Sequence, residues 1–256
     1  MPSKVVVITG ASGGIGRACA IALSQAYPKD GQDLVLVLSG RREAELQATA
    51  DACKQGTTVE LVTGDVSNQA DVDRMFETVR SKYGRVDVLF NNAGIDLLSA
   101  TPIEDADMDK FRQVLNVNVM AAVLCTAAAV RVMKSQEPKG GRIINNGSIS
   151  SSAPRPDSAA YTVSKHAVLG LTRSTSLDGR KYGITCTQLD IGNAQTDMAG
   201  YLSKGSRQAD GSLRPEPVMD VKNVANSVVF IVGLPAEADV LHLEILASGM
   251  PFVGRG

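Results

Sequence analysis

The chain has 256 residues, of which 44% are hydrophobic, enough for one sizeable domain with a substantial core. Its 26 basic and 27 acidic residues leave a net charge of −1, and no basic stripe is present, so nucleic acid is not an expected partner. We find no uninterrupted apolar run of the roughly twenty residues that cross a bilayer, and no cleavable signal at the N-terminus.

The first predicted element is a buried strand over residues 5–8, followed at once by TGASGGIG and then by a helix over residues 17–25. A glycine-rich turn between a strand and a helix is typical of a nucleotide site, although a plain tight turn has the same sequence. Gly10 permits the turn, Gly14 leaves room for a pyrophosphate, and Gly16 lets helix and strand approach closely. We predict cofactor contacts from Gly10, Ser12, Gly13, Gly14 and Ile15.

The second predicted strand, residues 33–38, ends in Ser39-Gly40-Arg41-Arg42. In a dinucleotide fold this strand end meets the adenosine ribose, where a carboxylate favours NAD. Here two guanidinium groups stand instead, and they match a 2′-phosphate in charge and geometry. The sequence therefore predicts a preference for NADP(H) over NAD(H), with Arg41 and Arg42 as contacts. The alternative is that both arginines begin a solvated helix.

A helix over residues 43–55 and a strand over residues 58–62 follow, and Asp65 and Val66 come directly after that strand. Asp65 has two interpretations: it accepts a hydrogen bond from the adenine amino group, or it caps the next helix, residues 71–83. Val66 offers its backbone to the cofactor.

The fourth predicted strand, residues 86–90, ends in Asn91-Asn92-Ala93-Gly94. These amides and the glycine are predicted to fix a loop that covers the cofactor, or else to form an ordinary Asn-rich turn. A long helix lies within residues 104–134 and carries Asn116 and Asn118 among apolar residues. Because a buried amide needs partners, Asn118 is expected to hold a water or a backbone carbonyl near the site, or to distort the helix as a core amide.

The segment after the fifth strand, residues 141–146, carries the candidate chemistry. Tyr161 and Lys165 are one turn apart on a predicted helix, so both side chains share a face, and a neighbouring ammonium lowers a phenol's pKa. Ser148 precedes Tyr161 by thirteen residues and follows the strand. Three such groups suggest acid/base work on a carbinol or carbonyl oxygen. Taken alone, a Y-x-x-x-K pair is common on solvated helix faces.

The remaining predicted elements are a strand over residues 184–189, a long irregular stretch read as a substrate lid over residues 192–217, a helix over residues 221–232 and a strand over residues 240–246. Alternating strands and helices predict an α/β fold with a Rossmann-type, doubly wound, parallel seven-stranded sheet, as a single domain over residues 1–256. The motifs above all fall at the carboxyl ends of strands, where such sheets bind ligands.

The cysteines and histidines suggest no other chemistry. The four cysteines are widely separated in apolar or helical patterns, so we expect core thiols in a reducing cytoplasm. His166 and His242 have no cysteine at metal-ligand spacing, so we predict no metal site.

In their order and spacing, TGASGGIG, NNAG, the Asn118 helix, Ser148 and YTVSK resemble the short-chain dehydrogenase/reductase family over essentially the whole chain. The resemblance implies that Tyr161 exchanges a proton with the substrate oxygen while Lys165 lowers its pKa and holds the nicotinamide ribose. Ser148 would bind the substrate oxygen, and Asn118 would anchor a water in a proton relay. Cofactor contacts would include Tyr161 and Lys165 together with Asp65, Val66, Asn91, Ala93, Ala194 and Thr196. A homodimer or homotetramer is implied.

Two features depart from the family's usual pattern. Ile191-Gly192 stands where many members have Pro-Gly, which bears on the contacts of the loop that follows. Asp190, just before it, is interpreted as a solvated turn residue or as a residue that affects substrate choice. The lid offers Met198, Tyr201, Leu202 and Leu213 as apolar contacts.

The function predicted from the sequence is NADP(H)-dependent interconversion of a small-molecule carbonyl and an alcohol. One alternative is a regulatory protein that senses NADP(H) without turnover, although it would not need Ser148, Tyr161 and Lys165 together. Another is a β-ketoacyl thioester reductase, which would use a basic patch for a carrier protein. Only scattered candidates such as Arg131 and Arg173 are present.

Overall fold

A computed structural model describes residues 3–28, 31–196 and 205–253. The strands are β1 (Lys4–Thr9), β2 (Leu34–Gly40), β3 (Thr58–Thr63), β4 (Val88–Asn91), β5 (Gly141–Asn146), β6 (Ile184–Ile191), β7 (Ser206–Arg207), β8 (Leu213–Arg214) and β9 (His242–Ile245). Seven of them form one parallel sheet in the order β3-β2-β1-β4-β5-β6-β9, and the two short strands β7 and β8 form a separate antiparallel pair.

Helices cover both faces of the sheet. They are α1 (Gly14–Ala26), α2 (Glu43–Asp51), α3 (Gln69–Tyr83), α4 (Met108–Leu115), α5 (Ala121–Met133), α6 (Ala159–Gly179) and α7 (Val221–Val232). A π-helical turn, Asn116–Met120, joins α4 to α5. By length and composition, Met108–Met133 is the one helical stretch in the described part of the chain that could cross a membrane, although Asp109, Arg112 and Arg131 interrupt its apolar sequence. In the fold, α5 buries eight of its residues against α3 and the sheet, as core helices do.

The core lies on the two faces of the sheet because alternate residues of a strand point to opposite sides. Val6 and Ile8 of β1 face one cluster, which contains α1 and α7. Val5 and Val7 face the other, which contains α3 and α5. Strands buried on both faces must be apolar throughout, and this explains why β1 and β2 read as continuous apolar runs.

The predicted fold class is confirmed, and the differences are local. The predicted lid is not wholly irregular, since its described part contains the β7–β8 hairpin. Of the cysteines, Cys19, Cys125 and Cys186 are buried and Cys53 is partly buried, all as free thiols. Burial raises the pKa of Cys125 and Cys186 to about 12, so these are core thiols and not nucleophiles.

Candidate active site

A cavity of about 690 Å³ opens at the carboxyl ends of the strands. Its volume suits a cofactor together with a small substrate. The predicted site residues that line it are Gly10, Ser12, Gly13, Gly14, Ile15, Arg41, Arg42, Asp65, Val66, Ala93, Ser148, Tyr161, Lys165, Ala194 and Thr196.

The glycine turn has the backbone that its sequence predicts. Gly10 has a φ of 66°, and a Cβ there would lie 2.9 Å from the Ala93 Cα. A Cβ on Gly16 would lie 2.4 Å from the Gly10 carbonyl oxygen, so only glycine allows this approach of helix and strand. Gly13, the N-cap of α1, provides no side-chain cap, and no acidic residue stands in the first turn. The first amides of α1 are therefore left for an anionic ligand, as a pyrophosphate requires.

Asn92 ties the β4 loop to this turn. Its side-chain amide donates to the Thr9 carbonyl at 2.9 Å, and its backbone N–H donates to the Thr9 hydroxyl at 2.9 Å. Asn91 differs from the prediction, because it is not among the described residues that line the cavity. Its amide points into the core, where it donates to Thr126 and Asn145.

At the adenosine end, Arg42 donates to the Ser12 hydroxyl at 3.1 Å and pairs with Glu45 at 3.4 Å. Its guanidinium thus lies across the glycine turn, and Arg41 is exposed beside it. The Asp65 carboxylate accepts from the backbone and hydroxyl of Ser67. Asp65 is therefore not the cap of α3. Asn68 is that cap, since its side chain accepts from two N–H groups of the first turn.

Tyr161 and Lys165 lie on the same face of α6. The Lys165 Nζ is 5.4 Å from the centre of the Tyr161 ring and donates to the Asn146 carbonyl at 2.7 Å. Burial lowers the pKa of Lys165 to about 8, although the charge of Asp190 acts to raise it. An ammonium that titrates this close to neutral pH, beside a phenol in a cavity, is typical of a catalytic site.

Ser148 is buried in extended backbone directly after β5, where it begins the short helical turn Ile149–Ser151. Its hydroxyl accepts from the Ser150 N–H at 3.1 Å and still has a hydrogen to donate.

Asn118 lies in the π-helical turn, just behind the main cavity rather than in its lining. Its side chain accepts from the Ile95 N–H at 2.8 Å and donates to the Ile95 carbonyl and the Ser164 hydroxyl. It is both a core amide in a distorted helix and the support of the loop after β4.

Asp190 is not a solvated turn residue. It is fully buried in β6, where it accepts from the Ser148 N–H at 2.8 Å. The sequence reading missed this contact because Ser148 lies 42 positions earlier in the chain, on the loop after another strand. The one local signal was the lack of a proline at Ile191, through which β6 continues.

Arg155 was also missed. It lines the cavity and donates to Asn193, to Ser206 and to the buried Glu216 carboxylate at 2.7 Å. Burial by itself would raise the pKa of Glu216, but hydrogen bonds, first among them that from Arg155, lower it to about 2. These bonds join the loop after β5 to the described part of the lid. In the sequence, the only local sign of this role was the position of Arg155 between Pro154 and Pro156.

The loop after β6 has no proline at position 191, and a backbone bridge to the segment before α7 holds it instead. Ala194 bridges Met219, and Thr196 lies 3.7 Å from the place where a Cβ on Gly14 would stand. Leu213 lines the cavity, whereas the other proposed apolar contacts, Met198, Tyr201 and Leu202, lie outside the described residues.

Comparisons with known proteins bear on the family and the fold of this chain. The profile of the short chain dehydrogenase family matches residues 4–207. A 3beta-hydroxysteroid dehydrogenase of Mediterraneibacter gnavus is 38% identical over 196 residues, covering 76% of this chain and 67% of the relative. A 3-oxoacyl-[acyl-carrier-protein] reductase of Synechocystis sp. is 31% identical over 244 residues, covering 93% and 92%.

Among solved structures, an alcohol dehydrogenase from the archaeon Thermococcus sibiricus, complexed with 5-hydroxy-NADP, superposes with a TM-score of 0.81 at 25% identity, covering 97% of this chain and 98% of the other. Fold, cavity and sequence relatives thus point to one assignment. The chain belongs to the short-chain dehydrogenase/reductase family and is an oxidoreductase that acts on CH–OH and C=O groups.

Proposed function

We propose that this protein is an NADP(H)-dependent oxidoreductase in which Tyr161 exchanges a proton with the substrate oxygen. The observation that carries the proposal is the convergence of Ser148, Tyr161 and Lys165 on the cavity that the glycine turn also lines. Bound NADP(H) would supply or accept the hydride.

Each residue has a role that its position supports. The Lys165 ammonium, 5.4 Å from the Tyr161 ring, favours the phenolate and so eases proton transfer from Tyr161 in reduction. It can leave its bond to Asn146 to bind the nicotinamide ribose. The Ser148 hydroxyl donates to the substrate oxygen and stabilises its developing charge.

Asn118 is proposed to hold a water of the proton relay. A small cavity of about 10 Å³ lies among Asn91, Asn118 and Asn146, and it is close to the size of one water molecule. The side-chain oxygen of Asn91 is buried there without a partner in the described part of the chain, so it offers an acceptor.

The test of the catalytic assignment is Tyr161→Phe. Removal of the phenol hydroxyl is expected to cut kcat by roughly a hundredfold or more, because a general acid/base contributes about that factor. NADPH affinity is expected to change little. Full turnover in this variant would end the assignment. Ser152→Ala, which removes an exposed hydroxyl that donates to the Ile149 carbonyl of its own turn, is a suitable control.

Two observations support the proposed preference for NADP(H): two arginines follow the end of β2, and no carboxylate stands at that strand end. Arg42→Ala is expected to raise the KM for NADPH about tenfold or more, as for a lost charge-assisted hydrogen bond, and to leave the KM for NADH nearly unchanged. Arg80→Ala, an exposed arginine on α3, is the control. Equal use of NADPH and NADH by the wild type would refute the preference.

The substrate is a small molecule, and the relatives support hydroxysteroids and β-ketoacyl thioesters as the first classes to assay. Simple ketones, quinones and sugars complete the screen. Tight NADPH binding without turnover on any class would favour the sensor alternative. A cytoplasmic location and a homodimer or homotetramer are further proposals. Light scattering tests the second.

A further inference from the structure

Asp190 is a fully buried carboxylate that accepts four hydrogen bonds. One oxygen, Oδ1, accepts from the Ser148 N–H and from Gln188 Nε2, both at 2.8 Å. The other, Oδ2, accepts from the Ser151 hydroxyl at 2.6 Å and contacts His242 Nε2 at 2.8 Å. An ionised carboxylate has no hydrogen to give, so His242 is the donor in that contact.

Two of these bonds hold the turn that carries the substrate-binding hydroxyl. Ser148 and Ser151 are its two ends, and both are attached to Asp190 while the Ser148 carbonyl accepts from the Ser151 N–H at 2.8 Å. Because the hydrogen bond from its N–H to Asp190 fixes the Ser148 backbone, the direction in which the Ser148 hydroxyl points depends on the carboxylate.

The carboxylate is itself held firmly. Gln188, which donates to it, accepts from the Thr172 hydroxyl at 2.8 Å, and Thr172 accepts from Asn145 at 2.9 Å. This chain of buried polar groups crosses from β5 through α6 to β6. On the solvent side His242 of β9, half exposed, completes the set. Networks of this kind restrict the rotamer of the group at their centre.

Gly147 makes the arrangement sterically possible. A Cβ at this position would lie 2.0 Å from Asp190 Oδ1 and 2.2 Å from Gln188 Nε2. The carboxylate thus fills the space that any side chain on the residue before Ser148 would need.

The charged groups around Asp190 come from two elements. On α6, the charge of Asp190 acts to raise the pKa of Lys165. On β9, His242 and Glu244 lie on the solvent-exposed side of Asp190. Ligand atoms of Asp190, His242 and Glu244 fall within 4.8 Å of one another. Both Asp190 oxygens, however, are already occupied by hydrogen bonds, so this group carries no argument for a metal.

We propose that Asp190 is a positioning residue of the oxidoreductase site, which holds Ser148 through its backbone N–H and keeps a buried negative charge against the turn that begins at Ser148. This inference rests on the proposed role of Ser148 in the reaction. His242 and Gln188 orient the carboxylate.

The test compares Asp190→Ala, which removes both acceptor oxygens, with Asp190→Asn. Asparagine keeps one acceptor oxygen for the Ser148 N–H, but it removes the charge and places an NH2 donor beside the Ser151 hydroxyl and His242. Glu244→Gln is the matched control, because it removes an exposed carboxylate within 4.8 Å of Asp190 that forms no hydrogen bond to residues 148–151 in the described part of the chain. Steady-state kcat and KM are measured with a carbonyl substrate that the wild type reduces, and NADPH fluorescence counts the folded sites.

Asp190→Ala is expected to lower kcat per folded site by roughly tenfold or more, with NADPH affinity within threefold of wild type. Asp190→Asn is expected to keep kcat within threefold at pH 7. The alkaline limb of its pH–activity profile is expected to shift to lower pH than in the wild type, because removal of the Asp190 charge lowers the pKa of Lys165. Glu244→Gln is expected to match the wild type in all three measurements.

A folded Asp190→Ala protein with wild-type kcat would overturn the proposal. Should that variant not fold, an Asp190→Asn pH profile that superimposes on that of Glu244→Gln would overturn it equally. Tyr161→Phe, assayed in parallel, separates the two failures. Full activity in Tyr161→Phe refutes the proposed function, whereas an inactive Tyr161→Phe beside a fully active Asp190→Ala refutes only the role of Asp190.

Discussion

Replacing Lys165 with Met is expected to stabilise the protein while it destroys activity. Burial lowers the pKa of Lys165 from 10.5 to about 8, so charging this side chain in the folded protein costs about 3 kcal/mol at pH 7. Methionine avoids that cost but cannot donate to the Asn146 carbonyl, a loss of about 1 kcal/mol. The Lys165→Met protein should therefore be more stable by about 2 kcal/mol at pH 7.

The dependence on pH identifies the cause. In the unfolded chain Lys165 keeps its proton up to its ordinary pKa of 10.5, whereas in the folded protein it loses the proton near pH 8. Between these values the unfolded state binds more protons, so rising pH stabilises the wild type. From pH 7 to pH 9 the advantage of Lys165→Met should shrink by about 1 kcal/mol.

Urea denaturation of the ligand-free protein at pH 7, 8 and 9 measures this difference. Far-UV circular dichroism is the suitable signal because the chain has no tryptophan. Lys139→Met, the same change at an exposed lysine, serves as the control. A stability difference between wild type and Lys165→Met that stays flat with pH, as for Lys139→Met, would refute the lowered pKa.

Two other predictions concern stability. Gly147→Ala places a Cβ 2.0 Å from a buried carboxylate oxygen and should lower the free energy of unfolding by about 1–3 kcal/mol in a thermal or urea scan. Gly170→Ala, whose Cβ would have no atom within 4 Å, is the control and should be neutral or stabilising. Equal stability of the two variants would contradict the crowding at Gly147. Burial raises the pKa of Glu216, but hydrogen bonds, led by that from Arg155, lower it to about 2, so the ionised carboxylate stabilises the fold above its ordinary pKa of 4.5. The stability advantage of wild type over Glu216→Gln should therefore decline as the pH falls from 4.5 toward 2. Acid titrations of the two proteins that run parallel would exclude this contribution.

The sequence predicts the sheet and the glycine turn well because their signals are local. β1 and β2 are apolar throughout since both faces are buried, and Gly10 and Gly16 stand where only glycine fits. The same holds for Tyr161 and Lys165, whose shared face follows from helical periodicity alone. These features need no knowledge of what lies opposite in the fold.

The features that sequence reasoning missed all depend on distant partners. Asn91 turns into the core because its place in β4 puts it opposite Asn145 of β5 and on the helix-covered face. Asp190 meets a histidine 52 positions later in the chain, on another strand. The π-helical turn around Asn118 reads as ordinary helix in sequence, since the contacts of Asn118 with Ile95 and Ser164 are tertiary.

The shared space of Gly147 and Asp190 has an evolutionary consequence. A relative with any side chain at position 147 has no room for the carboxylate at position 190, and a relative with a small residue at 190 leaves a void that a serine or alanine at 147 would fill. Substitutions at the two positions should therefore occur together among homologues. The pair would mark a lineage within the family in which a buried carboxylate holds the turn that begins at Ser148.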